Sequence, residues 1–339
     1  MKYFQQAILE KKNLIKVRNF PFTKIGKKKI LVKIFYSGVC KSQLMEASGF
    51  RGRDKWLPHG FGHEASGIVV DSNQSKKFKK NDKVICSWIR RENKKISGFV
   101  LQDKLGVKIN FGDIATFGNY AVISENCIYK KPKDLEMKKA ALFGCAIPTG
   151  MGMVFNQLKL KRKDKVLLVG LGGVGLSSML ALKIKKFQDQ VFILENNRLK
   201  IKIARKEGFF NFINTKDILK NKKYKNFFDK CVETSGNNKL IEIAFDAIKN
   251  NGYLLFSSHP ENKKYIKLNP HDLIKGKKIL GSWGGNCKLD RDIPKFNFLI
   301  KKNKINLNIF FKKNYKLCDI SKALDDLKNN NAIRPIIKI

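Results

Sequence analysis

The sequence predicts an α/β protein in two parts, a β-rich domain and a doubly wound parallel-sheet domain. Three observations carry that prediction. The chain has 339 residues, more than one ordinary hydrophobic core supports. Its first stretch is dense in short apolar runs broken by Gly, Asn and Asp, and its middle stretch alternates strand and helix patterns.

The elements follow in order. "KILVKIFYSGV", "ASGIVVD", "DKVICSWI" and "GNYAVIS" read as strands of the first part. Between about residues 165 and 285, "KVLLVG", "QVFILE", "FDKCVETS" and "NGYLLFSS" read as strands separated by segments of helical period such as "GLSSMLALKIKK" and "NRLKIKIARKEG". Strands separated by helices at this spacing form a parallel, doubly wound sheet. The C-terminal stretch returns to mixed character, with a helix at "DISKALDDLKNN" and a closing strand "RPIIKI".

Composition removes several classes of protein. A hydrophobic share of 43% is too high for a disordered chain. The seven cysteines are scattered and form no CxxC pair, which suits a reducing compartment and excludes a disulfide framework. The opening "MKYFQQAILEKKN" has no apolar signal core, so the expected localisation is cytoplasmic. Val166 to Ile184 is long and apolar, but four glycines crowd its first half, so it reads as strand, turn and helix rather than a membrane span.

A net charge of +42 raises nucleic acid or an anionic membrane as a partner. The lysines, however, are spread along the whole chain among apolar residues and asparagines. That distribution reads as a solvated basic surface with salt-sensitive, non-specific binding and no dedicated nucleic-acid or membrane partner.

"VLLVGLGGVGLSSM" holds Gly170, Gly172 and Gly175 in G-x-G-x-x-G spacing, with Gly173 among them. An apolar strand precedes the glycines and a helix follows, the context a dinucleotide loop requires. Gly170 permits the turn, Gly172 lets backbone approach a pyrophosphate, and Gly175 allows close helix packing. The phosphates then sit on free N–H groups at the helix start. The next strand ends in Glu195, twenty residues past Gly175, where a carboxylate accepts from the adenosine ribose and repels a 2′-phosphate. This favours NAD over NADP; Arg198 is the residue that argues the other way.

Cys40, His63 and Cys145 each lie by a glycine at the edge of an apolar segment. Singly, each reads as readily as a core or structural residue. Together they offer the three protein ligands that a catalytic zinc takes while keeping a fourth position open.

The ordered motifs "GVCKSQ", "GHEASGIV", "GCAIPTG" and "GLGGVG" resemble the zinc-dependent alcohol and polyol dehydrogenases of the medium-chain dehydrogenase/reductase superfamily, over nearly the whole chain. The resemblance implies a GroES-like catalytic domain at residues 1–143, to which residues 287–339 return, and a Rossmann coenzyme domain at 144–286. It implies that Cys40, His63 and Cys145 bind catalytic zinc, with Glu64 beside the metal. Ser42 would relay the alcohol proton, Lys41 and Arg334 would reach the cofactor phosphates, and Thr149 would lie beside the nicotinamide. Partners would be a small alcohol or carbonyl substrate and further copies of the chain, as a homodimer or homotetramer.

Three departures stand out. No cysteine lies between Trp88 and Asn119, so a second, structural zinc is expected to be absent. Gln43 stands where these enzymes carry an aspartate that holds the zinc-bound histidine; its carbonyl is expected to accept the histidine N–H without charge. Met45 stands where some members end the proton relay on a histidine.

The implied chemistry is metal-assisted hydride transfer between an alcohol and NAD. A secondary or polyol-like alcohol is the expected substrate. Arg51, Arg53, Lys55, Trp56 and His59, just before the zinc histidine, raise an anionic sugar derivative, against the plainer reading of a solvated loop. The rival readings are a zinc-free quinone or enoyl reductase of the same superfamily and, from another class, a non-catalytic basic nucleic-acid-binding protein.

Overall fold

A computed structural model describes residues 2–92, 98–220 and 222–339. The chain forms two compact units, one of residues 1–145, 288–297 and 307–339, the other of 146–287 and 298–306. The division falls after Cys145, later than the sequence placed it. The reason is local: Gly144 packs against Glu64, and the Cys145 sulfur lies 4.0 Å from that of Cys40.

The chain begins with β1 (Tyr3–Lys11), β2 (Leu14–Pro21), β3 (Lys29–Gly38), α1 (Lys41–Ala47), β4 (His59–Gly60), β5 (Glu64–Asp71), β6 (Lys83–Ser87), β7 (Phe99–Gln102), β8 (Lys108–Gly112), β9 (Tyr120–Ser124), β10 (Ile128–Lys130) and α2 (Met137–Ala140). The second unit opens with α3 (Ala146–Gly152), β11 (Val166–Val169), α4 (Gly173–Ile184), β12 (Val191–Leu194), α5 (Arg198–Lys206), β13 (Asn211–Ile213) and α6 (Thr215–Lys220). It continues through β14 (Phe228–Glu233), α7 (Asn238–Ala247), β15 (Ile248–Phe256), α8 (Pro270–Ile274) and β16 (Lys278–Gly281). After α9 (Leu289–Lys302) come β17 (Asn314–Tyr315), α10 (Ile320–Lys328) and β18 (Ile336–Lys338).

The first unit holds two sheets, in the orders β2-β1-β4-β8-β7 and β10-β6-β5-β3-β18-β17, with β9 also on β3. In β3 every second residue, Ile30, Val32 and Ile34, is buried with Val69 of β5 and Val84 of β6. This is the two-residue period of a half-buried strand. The C-terminal strand β18 pairs antiparallel with β3, Ile336 opposite Gly38 and Ile337 opposite Ser37. Val39 N–H donates to the Pro335 carbonyl at 2.9 Å. That pairing brings the C-terminal residues to the end of β3, next to Cys40.

The second unit is a six-stranded sheet in the order β13-β12-β11-β14-β15-β16, parallel throughout. All four residues of β11, "VLLV", are buried, as expected where helices cover both faces of a sheet. The order reverses at β11, which lies between β12 and β14. In such sheets the carboxyl end of the reversing strand opens a crevice for ligands, and Gly170 is the first residue beyond it. Among the described residues no helix is long and apolar enough to cross a membrane.

Candidate metal and coenzyme sites

Cys40 lies two residues beyond β3 and is the N-cap residue of α1; its N–H donates to Gln43 Oε1 at 2.7 Å. His63 immediately precedes β5, and Cys145 follows the tight turn of residues 141–144. Glu64 is wedged between two glycines. A Cβ on Gly38 would stand 2.6 Å from Glu64 Oε1, and one on Gly144 would stand 2.8 Å from Glu64 Cβ. No side chain fits at either position. The glycines noticed beside the candidate ligands are therefore the contacts that bring the three backbones together.

One ligand atom from each of Cys40, His63 and Cys145 lies within 4.8 Å of the other two. The two sulfurs are 4.0 Å apart, close to the roughly 3.8 Å spanned by two thiolates each about 2.3 Å from a tetrahedral zinc. His63 Nε2 is buried without any hydrogen-bond partner, an expensive state for a ring nitrogen unless a ligand takes it. The donor set, its spacing and this orphaned nitrogen fit a zinc ion.

Electrostatics agree with the geometry. The hydrogen bond from Cys145, followed by the charges of Arg334 and His63, holds the Cys40 thiol well below its ordinary range against the effect of burial. Cys145 is pushed well above it by the same hydrogen bond and by burial. A metal that bound both sulfurs would hold them as thiolates and displace any proton they carry.

Gln43 departs from its expected role. Its carbonyl oxygen is spent on the Cys40 N–H, and its amide nitrogen, not the oxygen, meets His63 Nδ1. A zinc on Nε2 leaves the imidazole proton on Nδ1, where it needs an acceptor. A carboxylate would offer one oxygen to each neighbour; the amide as placed offers only one acceptor, turned toward Cys40.

Arg334 stands against Glu64, with Nη2 donating to Oε2 and Nε beside Oε1, both at 2.9 Å. Its side chain is only 3% exposed, so its two nearest partners are the buried carboxylate and the thiolate pair rather than solvent. Burial pushes the Glu64 carboxyl up, and the Arg334 charge opposes that shift. Ser42 Oγ is buried without a partner, and Lys41 is exposed on the first turn of α1. Arg51 and Arg53 are exposed.

In the second unit Gly170 takes φ +81°, which only glycine adopts without strain. A Cβ on Gly175 would collide with the Gly170 carbonyl and the Thr234 hydroxyl. Gly172 is the N-cap of α4 and has no side-chain cap, so the first N–H groups of that helix face no side-chain oxygen. Gly173 is the first residue of α4. Glu195 Oε2 accepts from Leu171 N–H at 2.9 Å, and Oε1 accepts from the N–H groups of Asn196 and Asn197. The carboxylate thus stiffens the loop as well as closing β12. Thr149 in α3 is 5% exposed, and its hydroxyl has no partner.

This combination, a β-rich unit with a Cys/His/Cys cluster and a parallel-sheet unit with a glycine loop, defines a medium-chain dehydrogenase/reductase. Comparison with known proteins narrows it. Residues 26–133 match the family "Alcohol dehydrogenase GroES-like domain", and residues 173–302 match "Zinc-binding dehydrogenase". Alcohol dehydrogenase class-3 of Drosophila melanogaster is 27% identical over 91% of this chain and 90% of its own length. Alcohol dehydrogenase 1 of Cenchrus americanus is 24% identical over the same shares. Benzyl alcohol dehydrogenase from Acinetobacter calcoaceticus shares the fold, with a TM-score of 0.85 at 22% identity over 100% of both chains. So does 2R,3R-butanediol dehydrogenase from Bacillus subtilis, at 0.76 and 19% over 99% of each. The chain belongs to the zinc-type alcohol dehydrogenases of the medium-chain superfamily. It is an alcohol oxidoreductase of a family that uses zinc and NAD(P).

One group of residues escaped the sequence reading. Glu46, Asp54 and His59 converge in the first unit, although no motif or periodicity joins them.

Proposed function

We propose that this enzyme interconverts a secondary or polyol-like alcohol and its carbonyl compound with NAD(H), using one catalytic zinc held by Cys40, His63 and Cys145. The observation that carries the reading is the buried, partnerless His63 Nε2 facing two sulfurs at zinc-like spacing. Bound zinc supplies a Lewis acid for the substrate oxygen, and bound NAD supplies the hydride acceptor. The protein's own groups do the rest. Ser42, a buried hydroxyl with no competing partner, takes the alcohol proton and passes it outward. The Glu64 carboxylate, held by Arg334, sits behind the thiolates as a fixed charge. Gly170, Gly172, Gly173 and Gly175 shape the pyrophosphate seat, with Thr149 of the same unit at the nicotinamide, whereas Arg334, expected at the cofactor phosphates, is buried against Glu64. Glu195 at the end of β12 selects NAD by opposing a 2′-phosphate.

Arg51 and Arg53 are exposed, which supports the solvated-loop reading of that segment over a seat for an anionic sugar derivative. Edge strand β16, with Leu280 and the nearby Ile274 and Trp283 exposed, supports a homodimer or homotetramer. All seven cysteines are free, in keeping with the cytoplasm.

A panel of alcohols and carbonyls assayed with NAD(H) and NADP(H), with and without a zinc chelator, tests the proposal. The expected result is chelator-sensitive alcohol oxidation with kcat/KM for NAD at least about tenfold above NADP, the effect of one misplaced charge. Chelator-insensitive reduction of quinones or enones would establish the zinc-free rival instead.

A further inference from the structure

Between the first two zinc ligands in the chain lies a second convergence of donor groups. Glu46 sits on the last turn of α1, Asp54 in the loop that follows, and His59 at the start of β4. One ligand atom from each lies within 4.8 Å of the other two. His59 Nε2 is 2.9 Å from Asp54 Oδ2 and 3.8 Å from Glu46 Oε1.

The histidine tells what is missing between them. Its Nδ1 lies 2.8 Å from the Gly60 carbonyl oxygen, and a carbonyl oxygen can only accept. Nδ1 therefore carries a proton, and Nε2 is the ring nitrogen that faces the two carboxylates. His59 is 8% exposed, while the Glu46 and Asp54 side chains keep 32% and 22% of their surface open to solvent. A positive charge between them, a proton on Nε2 or a bound cation, would favour both carboxylates.

A proton on Nε2 would serve Asp54 but would leave Glu46, at 3.8 Å, outside hydrogen-bond reach. Burial already pushes the Glu46 carboxyl up, with His59 and Arg51 opposing the shift. A divalent ion reaches all three groups. Donors bound at about 2.1 Å around a six-coordinate ion stand roughly 3.0 Å apart when adjacent and 4.2 Å apart when opposite, and the two separations from His59 Nε2, 2.9 and 3.8 Å, lie close to those values. The three residues also border a cavity of about 370 Å³ that Trp56, Asn110 and Asp113 help to line. It has room for the waters that would complete the coordination. Arg90, which also lines that cavity, is paired with Asp113 at 2.5 Å.

We propose that Glu46, Asp54 and His59 form a second metal centre, distinct from the thiolate site, for a hard-to-borderline divalent ion such as Mn²⁺. One imidazole nitrogen with two carboxylates and water suits that part of the first row better than it suits a soft ion. The ion ties the end of α1, whose start carries Cys40 and Ser42, to the strand that leads into His63.

The test uses full-length apoprotein reconstituted with one equivalent of zinc, which the thiolate pair captures first, and then titrated with Mn²⁺ while free ion is followed by electron paramagnetic resonance. The expected result is one bound Mn²⁺ per chain whose signal carries coupling to an imidazole nitrogen. Asp54→Asn and Glu46→Gln, which keep side-chain shape, each weaken binding by at least about tenfold, and His59→Gln abolishes the nitrogen coupling while circular dichroism stays native. Wild-type protein that binds no Mn²⁺ below millimolar concentration overturns the proposal and leaves an imidazolium paired with Asp54. Variants that bind as tightly as wild type overturn it as well.

Discussion

The two sites of this enzyme differ in how much chain is needed to build each. The coenzyme loop is made by one contiguous stretch, Gly170 to Gly175, because a strand, a turn and a helix start are neighbours in sequence. The candidate metal site takes Cys40, His63 and Cys145 from three segments, with Arg334 from a fourth brought up by the pairing of β18 with β3. The lesson concerns tolerance. A local site is damaged by local strain, whereas a site assembled from distant segments is damaged by anything that leaves one of its buried groups without a partner.

The largest expected effect is at the thiolates. Cys145→Ser should remove stoichiometric zinc and lower kcat/KM by at least about a hundredfold, read by metal analysis and steady-state kinetics. Retained zinc with full activity would show that the ligands lie elsewhere.

Breaking the buried ion pair comes next. Arg334→Met leaves Glu64, fully buried, as an unpaired charge, and should destabilise the protein by about 3–5 kcal/mol in urea unfolding. Combining it with Glu64→Gln should recover much of the loss. A double variant no more stable than the single one would deny that the pair is coupled.

The contiguous site should break differently. Gly175→Ala meets the Gly170 carbonyl and should cost about 1–3 kcal/mol as an overpacked contact. It should weaken NADH binding in a fluorescence titration while zinc content is unchanged. Loss of zinc in this variant would erase the distinction between the two sites.

The smallest effect sharpens the comparison within the metal site. Gln43→Asp gives the Cys40 N–H and the His63 Nδ1–H one oxygen each, and should slow zinc loss to a competing chelator by about tenfold. Unchanged loss would mean that the amide already satisfies both neighbours.

How much of this was legible beforehand follows from the same contrast. The strands of the parallel sheet and the glycine loop were readable because their signals are runs of adjacent residues. The candidate ligands could be named by resemblance, but the reason for their glycines could not, since Gly38 and Gly144 act on Glu64 across the fold. Strands β1, β2 and β8 went unread because polar residues interrupt their apolar alternation, Gln5 and Gln6 in β1, Lys16, Arg18 and Asn19 in β2 and Asn110 in β8, and β7 because it has only 4 residues. Gln43 could be named as a departure, yet which of its two amide atoms faces the histidine depends on the Cys40 backbone. The trio of Glu46, Asp54 and His59 carried no signal, because Asp54 lies in a loop without period and β4 is two residues long.

The glycine wedge around Glu64 has a consequence in time. Because Gly38 and Gly144 close on that side chain through direct contact, the donors are positioned by backbone packing before any ion arrives. Newly made protein should therefore finish folding first and load zinc afterwards. Uptake would then be a bimolecular event whose rate rises with zinc concentration and leaves far-UV circular dichroism unmoved, unlike small zinc domains in which the metal drives folding.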